Sequence, residues 1–140
     1  MNTNMLTIAS DFANEDDFMI LSHTVDPERD SVGRMKVYAD SLKADGTRWM
    51  FLTGSKEKLY EAARKSYLLD DQNNTNAPIE EQFVHTQLFA LVDRAGRVRG
   101  IYDGLNKKEL AKLDTDIRLI LSESYSGPRF VNGIFQNSPN

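Results

Sequence analysis

Two short runs of apolar residues restrict the possible folds of this chain more than any other feature of its sequence. The first extends with few interruptions from Phe18 to Val25, and the second from Leu88 to Val92. Because neighbouring positions are apolar in both runs, they are typical of strands buried on both faces, as in a parallel sheet. Asp26-Pro27 ends the first run, since proline cannot donate the next ladder hydrogen bond.

Helical patterns alternate with these strands. Four segments place apolar residues at helical spacing: residues 2–16, 31–43, 55–67 and 106–121. A short strand is predicted at Trp49–Leu52, and residues 98–102 return antiparallel after a type I turn at 93–96. The order α-β-α-β-α-β-β-α predicts an α/β sandwich with a mixed, partly parallel sheet flanked by helices.

Composition narrows the classes of function. The chain has 140 residues and a net charge of −4, which argues against a nucleic-acid partner. No stretch approaches the roughly 20 apolar residues that span a bilayer, and no targeting signal opens the sequence. There is no cysteine, which excludes disulfides, thiolate catalysis and cysteine-ligated metals within these residues.

The two histidines have different surroundings. Ligands in open α/β sheets bind beyond the carboxyl ends of the parallel strands, and residues 23–30 lie near such an end. His23 is inside an apolar strand, which favours a hydrogen-bonded core position over a ligand. His85 follows a polar loop at 70–82 and comes just before the second buried strand, which favours a ligand or a general base.

Three further charged or polar segments have structural explanations. The turn Asp26–Asp30 could support a metal or redox site through Arg29, but a helix-entry turn with acids at the helix N-terminus is favoured. Thr53–Lys56 lacks the spacing of a phosphate loop and is interpreted as a helix cap. Three arginines decorate the predicted hairpin turn and are interpreted as a solvated edge: Arg94, Arg97 and Arg99.

The order of these segments resembles the Sco/SenC family of copper proteins. The resemblance covers residues 1 to about 121 and rests on HTVDPERD after the first strand, on WMFLTG, and on VHTQLFALVDRAGRVRGIYDG. It implies a thioredoxin-like fold and a role in assembling the binuclear copper centre of cytochrome c oxidase. The copper-bearing subunit of the oxidase is the implied partner, and copper delivery or thiol–disulfide reduction the implied activity.

The resemblance also implies a copper site that this chain contains only in part. The family binds copper through two cysteines of a CxxxC motif and one distal histidine, which His85 matches by its place in V-H-T. Thiolates suit Cu(I) because both are soft. We expect copper in the intact parent and none in this chain, which as given would not be catalytic.

Residues 1–5 resemble the stretch that directly follows the cysteine motif. We therefore expect an N-terminally incomplete thioredoxin-like domain at 1–123, without its N-terminal strands and the central one, and a tail at 124–140. A truncated start is favoured over a natural relative that lost the motif. The missing central strand would expose edges of strands 18–25 and 88–92. The two edges would then pair with each other or with a strand from a partner or from the tail. Otherwise the chain would fold poorly.

Other functions stay open from the sequence. The main alternative is a cysteine-free thioredoxin-like module that acts in binding or as a scaffold. A peroxiredoxin-like peroxidase is disfavoured, because that chemistry also needs a cysteine. By resemblance, the parent belongs to the bacterial periplasm or cell envelope, or to the mitochondrial inner membrane. The exposed strand edges also leave self-association open.

Overall fold

The computed structural model describes residues 2–63 and 87–127 in full, and only the backbone of residues 129–131 and 134–136. The predicted loop at 70–82, the end of the predicted third helix and His85 lie outside the described residues. In chain order the elements are α1 (Asn2–Asp11), β1 (Ile20–His23), α2 (Val32–Ser41), β2 (Trp49–Leu52), α3 (Lys56–Glu61), β3 (Leu88–Val92), β4 (Val98–Asp103), α4 (Lys107–Ser122), β5 (Arg129–Val131) and β6 (Ile134–Gln136).

Side chains just before the helices fix where three of them begin. The Oγ atoms of Ser31 and Ser55 accept hydrogen bonds from backbone N–H groups in the first turns of α2 and α3. Asn106 caps α4 in the same way, with its Oδ1 3.0 Å from the N of Lys108. Glu109 does not complete a capping box with Asn106. Its carboxylate instead accepts a hydrogen bond from the N–H of Asp103 at the end of β4.

Two separate pairs of strands form the central layer. β1 pairs with β2 in parallel, with Ile20 opposite Trp49, and β3 pairs with β4 antiparallel, with Phe89 opposite Tyr102. Among the described residues no strand joins one pair to the other. The expectation that the first strand is buried on both faces is wrong, since Leu21 is 40% exposed. Within the described part of the chain, β1 has a strand on one edge only and buries only its Ile20 face.

One hydrophobic core nevertheless includes both pairs of strands. It joins α1, both strand pairs and α4 through its buried residues, which are Met5, Ile8, Phe12, Ile20, Trp49, Tyr102, Leu113 and Ile117. The predicted stripe of α4 is confirmed at Leu113 and Ile117. Among the described helices none is long and apolar enough to cross a membrane.

The turn between β3 and β4 is held by a buried carboxylate. The Asp93 side chain is 5% exposed. Its Oδ1 accepts from the N–H groups of Ala95 and Arg97, at 2.9 and 3.0 Å. Its Oδ2 accepts from the Arg97 and Arg99 guanidinium groups. Gly96 closes the turn with a positive φ, a conformation that glycine adopts without strain.

The turn arginines are not simply a solvated edge, as the sequence suggested. Only Arg97 is mostly exposed, at 71% of its side chain. Arg94 bonds to Asp17 at 2.8 Å and to the carbonyl oxygen of Glu123 at 3.1 Å. Arg99 makes a two-pronged contact with the Glu123 carboxylate, at 2.8 and 2.6 Å. The hairpin turn is therefore fastened to the end of α4.

Candidate functional site

The carboxyl end of β1 leads into a self-contained turn. Thr24, 5% exposed, donates through its Oγ1 to Asp30, and the same oxygen accepts from the N–H of Asp26 at 3.0 Å. The N–H of Asp30 in turn donates to the Asp26 carbonyl oxygen at 2.8 Å. The buried hydroxyl is thus satisfied within the turn, whose geometry leads the chain into α2.

Arg29 does not clamp a carboxylate there. Its nearest acid is Asp26 in the same turn, with Nε 3.7 Å from Oδ2, and its side chain is 82% exposed. A pair this exposed contributes little. The helix-entry interpretation of the turn therefore accounts for the observed contacts.

His23 is the last residue of β1, and its side chain is exposed. The prediction of a core position is wrong, because the other face of this strand carries the buried residues. Neighbouring atoms still remove enough water to lower the pKa of His23 below its usual 6.5. The imidazole is therefore neutral at pH 7.

Segments from across the sequence meet at the amino end of α1. The Asn4 side-chain amide donates to the carbonyl oxygen of Gly104 at 2.9 Å, and the N–H of Gly104 donates to the carbonyl oxygen of Gln87 at 2.8 Å. The Gln87 side-chain amide also bonds to Asp103, at 2.8 Å. These contacts, here termed the α1 junction, fix the entry of β3 and the exit of β4 against the first turn of α1.

A second contact joins α2 to the same end of α1. The Asn2 side-chain amide donates to the Tyr38 hydroxyl at 2.7 Å. The Tyr38 ring packs edge-on against the Phe51 ring of β2, with centroids 5.6 Å apart. Sequence reasoning missed these residues, because an asparagine in a first helical turn and a glycine after a strand are common and carry no specific signal.

The α1 junction holds a residue that is close to His85 in the sequence. Gln87, which it anchors, lies two residues after His85, while His85 itself is outside the described residues. Within residues 2–63 and 87–127, no group of three or more histidine, cysteine, aspartate or glutamate residues could hold a metal ion. The described residues alone do not fit Cu(I), which prefers thiolate ligands, so no copper step is assigned to them.

Gly104 is expected to be essential to the α1 junction. A β-carbon there would lie 2.8 Å from the Gln87 carbonyl oxygen and 2.6 Å from the Phe89 ring. Gly104→Ala should therefore break the Gly104–Gln87 bond and cost about 1–3 kcal/mol of unfolding free energy. Urea denaturation measures the loss, and NMR amide shifts should change at Gln87 and Asn4.

The control for that variant is Gly33→Ala. Nothing lies within 4 Å of a β-carbon built at Gly33 in α2. This substitution should be neutral or stabilise by about 0.5–1 kcal/mol through helix propensity. Equal effects of the two variants would contradict the close approach at Gly104.

The comparisons with known proteins agree with this architecture. The chain has a thioredoxin-like fold, shared with Sco proteins of known structure. Residues 1–119 match the SCO1/SenC family model, so the chain belongs to the SCO1/SenC family. Both the resemblance and the fold class predicted from the sequence are confirmed.

Individual relatives are moderately similar. The SCO1 protein homolog of Bacillus subtilis (strain 168) is 30% identical over 103 residues, which are 73% of this chain and 52% of the relative. The chain thus spans about half the length of that curated relative.

Solved structures of Sco proteins match over most of the chain. BsSco, a member of the Sco family of cytochrome c oxidase assembly proteins, aligns with a TM-score of 0.69 and 26% identity, covering 88% of this chain and 71% of its own. A SCO1/SenC family lipoprotein from Bacillus anthracis str. Ames, at 24% identity, supports the fold alone. Its TM-score is 0.65, and the match covers 84% of this chain and 68% of its own.

Proposed function

We propose that this chain is part of a Sco protein that acts in the assembly of cytochrome c oxidase. The whole protein would deliver copper to the copper-bearing subunit of the oxidase or reduce its disulfide. Family membership over residues 1–119 supports the general role. Copper, this partner and a cell-envelope or mitochondrial inner-membrane location follow from the resemblance and are part of the proposal.

The α1 junction is the observation that carries the proposal. By resemblance, the CxxxC motif of the family directly precedes the residues that match 1–5, at the amino end of α1. The same end of α1 is bonded through Gly104 to Gln87, two residues after His85. This arrangement supports a copper site in which His85 completes the ligands supplied by two cysteines.

These 140 residues by themselves are expected to bind Cu(I) only weakly, because the thiolate ligands are absent. A Cu(I) titration against a competing chelator measures this. Placing before Met1 a segment with the CxxxC motif that the family resemblance implies should produce tight one-to-one binding. His85→Ala in that fusion should weaken the binding strongly, whereas His23→Ala, the matched control, should leave it unchanged.

Either of two results would contradict the proposal. Tight one-to-one binding by the 140 residues alone would mean that the cysteines are dispensable. Equal effects of His85→Ala and His23→Ala in the fusion would remove His85 from the site.

The second candidate function is a cysteine-free binding or scaffold module with a thioredoxin-like fold. The observation that favours it is that a chain without cysteine still builds a core around Phe12, which is 1% exposed. The coding sequence upstream of Met1 discriminates between the two functions. An in-frame CxxxC motif preceded by an apolar strand supports the Sco role, and a stop codon or unrelated sequence supports the module.

The division into a domain at 1–123 and a tail at 124–140 stays a prediction. Its structural basis is that α4 ends at Ser122 and that β5 and β6 pair only with each other in the described part of the chain. Self-association through strand edges also stays a proposal, and it predicts an apparent molecular mass that increases with protein concentration.

A further inference from the structure

One corner of the molecule combines an exposed apolar side chain with two lysines. Leu105, in the turn between β4 and α4, is 53% exposed. Its backbone is nevertheless held, because its N–H donates to the Asp103 carboxylate at 2.8 Å. Two exposed lysines, Lys107 and Lys108, follow in the first turn of α4. Leu105, Lys107 and Lys108 are here termed the basic corner.

The chain does not neutralise these two lysines. Within residues 2–63 and 87–127, the side chains of Lys107 and Lys108 make no ion pair and no hydrogen bond. Glu109 is next to them in the sequence, but its carboxylate accepts from the N–H of Asp103. Both positive charges are therefore available to a partner.

Helix stability does not explain the lysines either. The amino end of a helix is the positive end of its dipole, so cations in the first turn of α4 are unfavourable. Lys108 also lies one turn before Lys112, and like charges four residues apart destabilise a helix. By contrast, Lys112 has an acid at this spacing and forms an ion pair with Asp116. Side chains that act against local stability are typical of functional sites.

The basic corner lies next to the α1 junction. Leu105 directly follows Gly104, whose carbonyl oxygen accepts from the Asn4 side chain at 2.9 Å. The N–H of Gly104 donates to the carbonyl oxygen of Gln87 at 2.8 Å. A protein that approached the proposed copper site at the amino end of α1 would therefore meet Leu105 and the two lysines.

Exposed acids are found at the other end of α1. Glu15 and Asp16 follow the helix, and the Asp16 side chain is 93% exposed. The ten residues of α1 separate this loop from the α1 junction by about 15 Å. The first turn of α1 contains no acid. The overall charge of −4 would repel an acidic partner, but this distribution would orient such a partner toward the basic corner.

We propose that the basic corner is a docking surface for an acidic face of the copper-bearing subunit of the oxidase. Leu105 contacts an apolar side chain of the partner, and Lys107 and Lys108 pair with carboxylates around it. An apolar centre with a polar rim is the usual anatomy of a protein interface. The identity of the partner rests on the proposed function.

Binding of the isotope-labelled full chain to the soluble, copper-free domain of that subunit, followed by NMR at low and high salt, tests the docking. Amide shifts should change at the basic corner and not in the loop at 14–17. Lys107→Glu combined with Lys108→Glu should raise the Kd about tenfold at low salt, and less at high salt because of screening. Leu105→Ala should raise it about threefold or more at both salt concentrations, because its contact is apolar.

The matched control is Lys43→Glu combined with Lys58→Glu. It changes the net charge by the same amount at two exposed positions outside α4, and it should change the Kd by about twofold or less. Urea denaturation excludes unfolding as the cause of weaker binding. Glutamates at 107 and 108 suit the amino end of α4, so that variant should have a higher urea midpoint than the wild type.

Three results would overturn the proposal. The first is equal weakening by the two double variants, which would reduce the effect to net charge. The second is no binding of the wild-type chain to the domain; the Cu(I) titration of the fusion still decides the proposed function, because it involves none of these residues. The third is binding to phosphatidylglycerol vesicles in place of the domain, lost in the Lys107→Glu and Lys108→Glu variant, which would assign the basic corner to a lipid surface.

Discussion

Phe12→Ala should lower the free energy of unfolding by about 3–5 kcal/mol, because it truncates the largest fully buried side chain among the described residues. Phe12 is 1% exposed. The centroid of its ring lies 5.0 Å from that of the Phe18 ring and 4.8 Å from the guanidinium carbon of Arg118. Truncation leaves a cavity between α1, the approach to β1 and α4 that the backbone cannot close.

Chemical denaturation measures this loss, with two variants for comparison. Phe12→Leu keeps most of the volume and should cost less than about 1.5 kcal/mol. Leu119→Ala removes an apolar side chain that is 59% exposed on α4 and should change stability by about 0.5 kcal/mol or less. If Phe12→Ala and Leu119→Ala had similar effects, the core would not be centred on Phe12.

Asp93→Asn should lower the free energy of unfolding by about 2 kcal/mol, because hydrogen bonds to a charged group are strong. Two guanidinium groups and two backbone N–H groups converge on this one carboxylate. Burial alone would raise the pKa of Asp93. Hydrogen bonds from the Arg97 backbone and from the Arg97 and Arg99 side chains outweigh burial and lower the pKa from 3.8 to about 2.

The lowered pKa of Asp93 determines how its contribution to the free energy of unfolding changes with pH. The folded state favours the ionised carboxylate, so its contribution is fully present above about pH 4 and is lost as the pH falls toward 2. The stability difference between the wild type and Asp93→Asn, measured by denaturation from pH 5 to pH 2, should therefore shrink with acidification.

The control for the pH dependence is Asp40→Asn. The Asp40 side chain is 63% exposed, and its carboxylate lies 3.5 Å from the ammonium group of Lys36. A surface pair of this kind contributes little to stability, so this variant should remain close to the wild type across the range. A difference for Asp93→Asn that stays constant with pH would contradict the role of the ionised Asp93.

The predictions that held were mostly local. Thr53–Lys56 is a helix cap as predicted, because the bond that the Ser55 side chain makes lies within its own turn. Asp93 and Gly96 form the predicted turn for the same reason, since its hydrogen bonds span only a few residues. Trp49–Leu52 and Leu88–Val92 are strands with the predicted bounds.

The predictions that failed concerned partners far away along the chain. The apolar neighbours of His23 favour a core position, but its exposure depends on which face of β1 other elements cover. The position of Arg99 beside a hairpin turn favours a solvated side chain, although the end of α4 brings the Glu123 carboxylate within 2.6 Å of its guanidinium group.

The sequence by itself determined the order of the elements from α1 to α4, the cap of α3 and the SCO1/SenC family, because these depend on local patterns and on motifs read in order. Only the tertiary structure decided that Asn4, Gly104 and Gln87 meet at the amino end of α1. It also decided that Arg99 of the hairpin lies against the Glu123 carboxylate just after α4. These arrangements depend on hydrogen bonds and packing between residues up to a hundred positions apart, which no local pattern encodes.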